Sequence, residues 1–275
     1  MSVNLPVSGT GEAISAEYRA YLRQQARHRR NIQLWRWSIL VCLILLWELA
    51  TRVGWLDPFI TSSPTRLSAA LVRMAKSGDL AYHTGVTLYE TLVGFVLGSV
   101  FGILIAIALW WFPTASKVMD PYLVVLNALP KVAMGPIIIV WMGAGMGSII
   151  ASALLISLVV TIMTVLGGFQ EVSREKLMLL STFGATRYQM LTKVVLPASL
   201  PTLCAAIKIN VGMTFVGVIV GEFLVSSAGL GYLIVYGGQV FQLDLVMAAT
   251  VILLLAAALM YAALAALEKR VIRSR

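Results

Sequence analysis

The chain has 275 residues, 59% hydrophobic and only 12% charged, with a mean hydropathy of +0.89. A typical soluble domain is about 25% charged, so this much apolar surface excludes a water-soluble fold and calls for a bilayer. The net charge of +9 does not point to nucleic acid, because the basic residues gather at the ends of apolar runs, the pattern of membrane orientation.

A bilayer core is about 30 Å thick, so each helical span needs about 20 mostly apolar residues. The sequence holds about six such runs, which predicts an all-α integral membrane protein with one membrane domain over 37–269. A basic cytoplasmic or interfacial segment (1–36) precedes it and a basic cytoplasmic tail (270–275) follows. The first 33 residues are not expected to be a cleavable signal, because the stretch before the first apolar run is too long and no small-residue cleavage site follows. Glu12 to Arg30, with Tyr18, Tyr21 and Leu22 among arginines, reads as a basic helix on the cytoplasmic membrane surface. A disordered basic tail is the alternative.

The first apolar run covers 37–53. In the polar stretch after it, Ser63 and Pro64 supply an N-cap and a first-turn proline, and Leu67, Leu71 and Met74 recur at helical spacing. A short surface helix is expected there. The second run, 84–111, carries Gly94, Gly98 and Gly102, which lie on nearly one face and let another helix approach closely. The third run, 121–142, is interrupted by Pro130 and Pro136. Proline removes a donor and kinks a helix. Broken helices at membrane depth are tolerated only against protein or a water-filled cavity, so this run is expected to line a pathway. The fourth run covers 148–169, the fifth 200–225 and the sixth 243–267. Trp35, Trp37, Trp55, Trp110, Trp111 and Trp141 fall near run ends, as an aromatic belt requires. Cys42 and Cys204 have no His or Cys at ligand spacing and read as small buried apolar residues rather than a disulfide or metal site.

With the N-terminus cytoplasmic and six spans, the cytoplasmic segments hold fifteen Lys and Arg and the external ones four, Arg52, Arg66, Arg73 and Lys76. Both termini are therefore expected inside. That places 170–197 in the cytoplasm. Helix connections usually run about 2–8 residues, so this one is too long for a turn. Its Leu, Met and Phe residues recur at helical spacing, predicting helices over Arg174–Phe183 and Ala185–Val195 separated by Gly184. Such a knob suits docking into a groove on a partner protein.

Gly184 is followed after nine residues by Val194, then by Leu196 and Pro197. This spacing resembles the cytoplasmic loop signature of ABC importer permeases. Met178, Leu179 and Leu180 stand where that family has Glu-Ala-Ala, and Glu175, nearly one turn earlier, is the candidate replacement for the family's Glu. Asp120-Pro121, the run 128–133 (ALPKVA), 136–143 (PIIIVWMG), Gly221-Glu222-Phe223 and the run 228–232 (AGLGY) look like the nitrate, sulfonate, taurine and bicarbonate branch. The resemblance implies the type I importer permease fold and a homodimeric pore. It also implies two ATPase subunits beneath the pore and a substrate-binding protein outside. Glu175, Phe183, Gly184, Ala185, Thr186, Arg187, Leu196 and Pro197 would form the ATPase-coupling loop. The chain carries no GxxxxGK[ST] phosphate loop of its own, so no nucleotide, cofactor or catalysis is expected of it.

Ionisable residues inside spans are costly and mark functional positions by default. Pro130, Lys131, Lys208 and Glu222 are the candidate pathway residues. Lys208 instead snorkels or pairs with a carboxylate in the alternative reading, and Glu222 instead packs against the 226–232 turn. Glu90 reads as a hydrogen-bonded packing residue, and Glu48 with Arg52 as an interfacial i,i+4 pair. Two cations at depth fit a small anionic solute. An ion-coupled secondary transporter would need a relay of intramembrane carboxylates, for which only Glu90 and Glu222 qualify. A membrane enzyme would need a nucleophile and base, and His28 and His83 are the only histidines.

Overall fold

The computed structural model describes residues 16–273. Residues 12–15 of the expected N-terminal helix, and residues 274–275 of the basic tail, lie outside it. The chain divides into two compact units, one up to Pro64 and one from Thr65 onward.

In the first unit, α1 (Ala16–Arg52) is one unbroken helix of 37 residues, about 55 Å long at 1.5 Å per residue. Its Arg30–Arg52 part is apolar enough to cross a membrane. Trp35, Trp37, Leu43 and Leu45 are all exposed. Cys42 is exposed too, so the burial expected of it does not hold: this stretch turns its apolar side chains outward, where lipid is the solvent. Arg52 Nε donates to Glu48 Oε1 at 2.8 Å, giving the expected i,i+4 pair. Asp57 caps the short α2 (Pro58–Thr61) by accepting from the Phe59 N–H at 2.8 Å.

Helix α3 (Pro64–Ser77), which lies in the second unit from Thr65 on, starts at its proline, where a missing N–H costs nothing. Its predicted face is the one it buries. Met74 and Ala70 pack with Leu230, Leu233, Ala248 and Ala249, and Leu67 and Leu71 flank them. Four long helices follow: α4 (Asp79–Trp111), α7 (Met146–Gln170), α11 (Leu200–Val225) and α13 (Leu243–Arg273). With α1 they make five straight membrane-crossing candidates among the described residues, and a bent pair makes the sixth.

That bent pair is α5 (Pro113–Ala128) and, after a 3₁₀ turn over Lys131–Met134, α6 (Gly135–Met142). The two halves meet at 88°. Leu129 is extended (φ −59°, ψ 139°) because the residue before a proline is pushed out of the helical region, and Pro130 removes the next donor. Pro136 does not kink the chain as expected. It stands in the first turn of α6, where proline starts a helix rather than breaking one. The helix also begins earlier than 121, at Pro113, with Pro121 inside it.

Helices α4, α7 and α11 form the core of this unit. In lipid the hydrophobic effect does not drive helices together, so close dispersion packing must. The glycines allow it. A Cβ on Gly98 would lie 2.6 Å from Ser157 Oγ, and one on Gly102 would lie 2.6 Å from Thr161 Cγ2. From the other side, a Cβ on Gly221 would lie 2.8 Å from Ile149 Cα. Asn210 Nδ2 donates to Ser99 Oγ at 2.7 Å within this seam. Such bonds average about 0.6 kcal/mol in membranes, so they fix register while packing supplies the cohesion.

One element lies where only a turn was expected: α12 (Leu230–Gln239) between α11 and α13.

Candidate functional site

The 170–197 segment folds as α8 (Arg174–Thr182), then α9 (Arg187–Met190), a π-helical turn over Leu191–Val195 and the short α10 (Leu196–Ala198). Gly184 terminates α8 in the left-handed region (φ +75°). Its N–H donates to the Ser181 carbonyl at 3.0 Å, and the Ala185 N–H donates to the Leu180 carbonyl at 3.0 Å. This is the paired C-terminal capping pattern that favours glycine. Thr186 then opens α9 with a capping box: Gln189 N–H donates to Thr186 Oγ1 at 3.3 Å, and Thr186 N–H donates to Gln189 Oε1 at 2.8 Å. Gly184 and Ala185 thus lie between two capped ends, and the corner is stiff.

The corner is also tied to the bundle. Arg187 Nη1 donates to the Trp111 carbonyl at the end of α4. Leu191 and Val195 are buried beside Phe169 and Leu166 of α7, with Leu177 and Leu196 packed against them. Trp110 and Trp111, at the end of α4, pack against that same cluster. Ser199 Oγ donates to the Gly168 carbonyl at 2.9 Å. The far side of the corner is open: Phe183 is 78% exposed, Met178 68%, Tyr188 66% and Leu179 58%. Glu175 is exposed on α8. Pro197 follows the π turn, where it has no N–H to offer Lys193. The π turn itself had no signal in the sequence.

The candidate pathway residues do not converge. Lys131 lies at the break, and its Nζ donates to Asn127 Oδ1 at 3.1 Å. Lys208 forms a salt bridge to Glu268 on α13, with Nζ 2.8 and 3.0 Å from the two carboxylate oxygens. Pairing with a carboxylate is therefore the arrangement seen, and 60 residues of sequence separation hid the partner. Lys208→Ala alone is expected to lower the melting temperature slightly, because it leaves Glu268, whose side chain is 22% exposed, without its cation, and part-exposed pairs contribute little. Adding Glu268→Ala should restore it. If the restored double variant still transports poorly, Lys208 has a pathway role beyond pairing.

Glu222 is 1% exposed at the end of the core away from the 170–197 corner. Thr87 Oγ1 donates to its Oε1 at 2.7 Å and the Gly231 N–H donates to its Oε2 at 2.5 Å. Thr87 in turn accepts the Leu230 N–H at 2.8 Å, and His83 Nδ1 accepts the Gly229 N–H at 3.0 Å. Three side chains from α4 and α11 thereby satisfy the donors at the start of α12, which an isolated helix leaves open. A cavity of about 200 Å³ adjoins, lined in part by Tyr232, Tyr236 and Gln239.

A family model described as "Binding-protein-dependent transport system inner membrane component" matches residues 98–273. A probable ABC transporter permease protein of Haemophilus influenzae is 34% identical over 211 residues, covering 77% of this chain and 85% of the relative. The taurine transport system permease protein TauC of Escherichia coli is 24% identical, covering 88% and 94%. A crystal structure of a bacterial ABC transporter involved in the import of the acidic polysaccharide alginate superposes with a TM-score of 0.62 at 14% identity. It covers 93% of this chain and 99% of that one.

Proposed function

The chain belongs to the binding-protein-dependent transport system inner membrane components, the multi-pass permease subunits of ABC importers, and from that premise we propose how it couples and what it carries. The Gly184 corner is the seat of a separate ATPase subunit. Two copies of the chain form the translocation pathway, two ATPases dock from the cytoplasm, and an external binding protein delivers the solute. ATP is hydrolysed by those partners. The observation that carries the coupling reading is the corner itself. It is stiffly capped, held to α4 and α7 at its base, and apolar on its open side. A docking helix needs a packed anchor to gain affinity and a rigid mount to transmit displacement.

The cargo is a small anionic solute of the sulfonate class. Two features support this: the relative named for taurine transport, and Lys131, which pairs with no carboxylate among the described residues. A hydrogen bond to a charged group contributes about 1.5–3 kcal/mol, roughly a tenfold to hundredfold effect. Lys131→Met should therefore lower taurine uptake by about that factor in proteoliposomes holding permease, ATPase and binding protein. ATPase capture should stay unchanged. Undiminished uptake would remove Lys131 from the pathway. Taurine-independent ATP hydrolysis with no uptake would reject the sulfonate class.

A further inference from the structure

His83 has no part in the coupling and cargo readings, yet it holds the start of α12. Its side chain is buried, 8% exposed, and its Nδ1 accepts the Gly229 N–H at 3.0 Å. The ring is fixed on two sides. Tyr232 stacks on it, with 5.9 Å between ring centres and 22° between planes. Tyr82 meets it edge-on at 5.1 Å and 76°. Gly229 lets the chain come this close: it stands at φ +108°, and a Cβ there would run into the Glu222 carboxyl.

Three acceptors meet three successive N–H groups at this helix start: His83 takes Gly229, Thr87 takes Leu230 and Glu222 takes Gly231. They differ in one respect. A hydroxyl always has a lone pair to accept with, and a carboxyl has one in either protonation state, whereas an imidazolium is a donor at both nitrogens. A backbone N–H can only donate, so the Gly229 bond requires a neutral ring with its proton on Nε2. We infer that His83, as the neutral Nε2–H tautomer, is a proton-sensitive positioning residue that pins the 226–231 turn to α4 and releases it when the ring is protonated.

The surrounding charges leave that switch to the imidazole. Helices α4 and α12 contain no lysine or arginine, and α7 contains no ionisable residue. Lys208, the one basic residue of α11, is engaged by Glu268. On α3, Arg73 and Lys76 are exposed, and Arg66 pairs with Asp244 of α13. The acidic neighbours are Asp79, which is one turn earlier on α4 and accepts from Ser77 Oγ at 2.6 Å, and the buried Glu90 and Glu222. The phenols are Tyr82, Tyr232 and Tyr236, the last stacked on Tyr232 at 5.8 Å. The turn also has a mechanical place. Helix α11 runs unbroken from Leu200, beside the 170–197 corner, to Val225, so a displacement at the corner reaches the turn, and the His83 bond makes α4 share it.

The test uses the full-length chain in lipid nanodiscs, labelled with nitrogen-15 histidine and carrying His28→Gln, so that His83 is the one histidine left. At about pH 8 the NMR spectrum should show a protonated Nε2 and a bare Nδ1. A protonated Nδ1 would overturn the inference. Melting is then compared at about pH 8 and about pH 5.5, either side of the free histidine value of about 6.5. The folded chain uses the Nδ1 lone pair and the unfolded chain does not, so this stabilisation is present above that value and is lost as pH falls through it. In His83→Asn the amide oxygen takes the place of Nδ1 and is not protonated in this range. On acidification the chain with His83 should lose about 2–4 °C more than His83→Asn, a difference in which the other titrating groups cancel. His83→Ala should melt below both at pH 8. Equal pH dependence with histidine and asparagine would overturn the inference, and so would His83→Ala melting with the parent at pH 8. The inference draws only its transport consequence from the permease reading: His83→Asn should retain the binding-protein-stimulated ATP hydrolysis that His83→Ala loses. Undiminished stimulation in His83→Ala would remove His83 from the coupled motion, whereas no stimulation even with His83 intact would reject the partners assigned to the chain. The spectra and melting curves decide the inference in either case.

Discussion

Gly184→Trp is expected to reduce capture of the partner ATPase by at least about tenfold, the scale of a central docking residue, while leaving the membrane bundle folded. Two effects act together. A side chain at φ +75° costs about 1–2 kcal/mol, which loosens the cap that keeps α8 and α9 in register. A Cβ at this position meets nothing within 4 Å, so the indole projects into the open space where the partner is to sit. Gly184→Ala separates the two, because it keeps the strain and lacks the bulk, and its effect on capture should be smaller. The measurement is co-purification of the ATPase together with the melting temperature of the permease alone. The second quantity should fall by no more than a few degrees, because the strain is confined to the corner and an added side chain meets nothing in its own chain.

Gly217→Val should have the opposite signature, loss of folded protein whatever the partner. A Cβ on Gly217 would run into Ala153 Cα and lie 3.0 Å from both the Ala153 N and the Ser152 carbonyl. These are backbone atoms of α7 and cannot rotate aside. The α7–α11 pair must then separate along its length, including the Gly221–Ile149 approach. Overpacking of a core costs about 1–3 kcal/mol and occasionally more; with backbone on the receiving side the upper end is expected. Gly212→Ala on the same helix is the control. It meets nothing within 4 Å, and replacing a helical glycine by alanine is worth about 0.5–1 kcal/mol. It should be neutral or stabilising. Yield of monodisperse protein and thermal melting in detergent decide both cases.

The long helices were legible because each combines length, apolarity and regular spacing. Leu200–Val225 is the plainest case, an apolar run beginning beside prolines and ending before the Ser226-Ser227 pair. The glycine seam on α4 was legible for the same reason, since four-residue spacing puts small residues on one face whatever packs there. Helix α12 was not. Its 10 residues are too few to show a period, and what starts it is not local: the caps come from Thr87 and Glu222. The cue that remained was the Gly229-x-Gly231 pair ahead of an apolar run. Pro130 and Pro136 look alike in sequence, yet one breaks a helix and the other begins one. Only the extended Leu129 and the position of Gly135 separate them. The partners of Lys208 and Glu222 were out of reach, because a salt bridge across 60 residues and a hydrogen bond across 135 leave no spacing to read. At the 170–197 corner Gly184 stood out through its spacing to Val194 and Pro197. The Arg187 tie to Trp111 and the capping box required coordinates.

The side of the membrane on which the Gly184 corner lies tests the account most directly. With Cys42 and Cys204 replaced by alanine, a single cysteine at position 188 can be probed with a membrane-impermeant maleimide, since Tyr188 is 66% exposed. The account predicts no labelling in intact cells, full labelling in inside-out vesicles, and protection there when the ATPase is bound. Labelling from outside intact cells would contradict it.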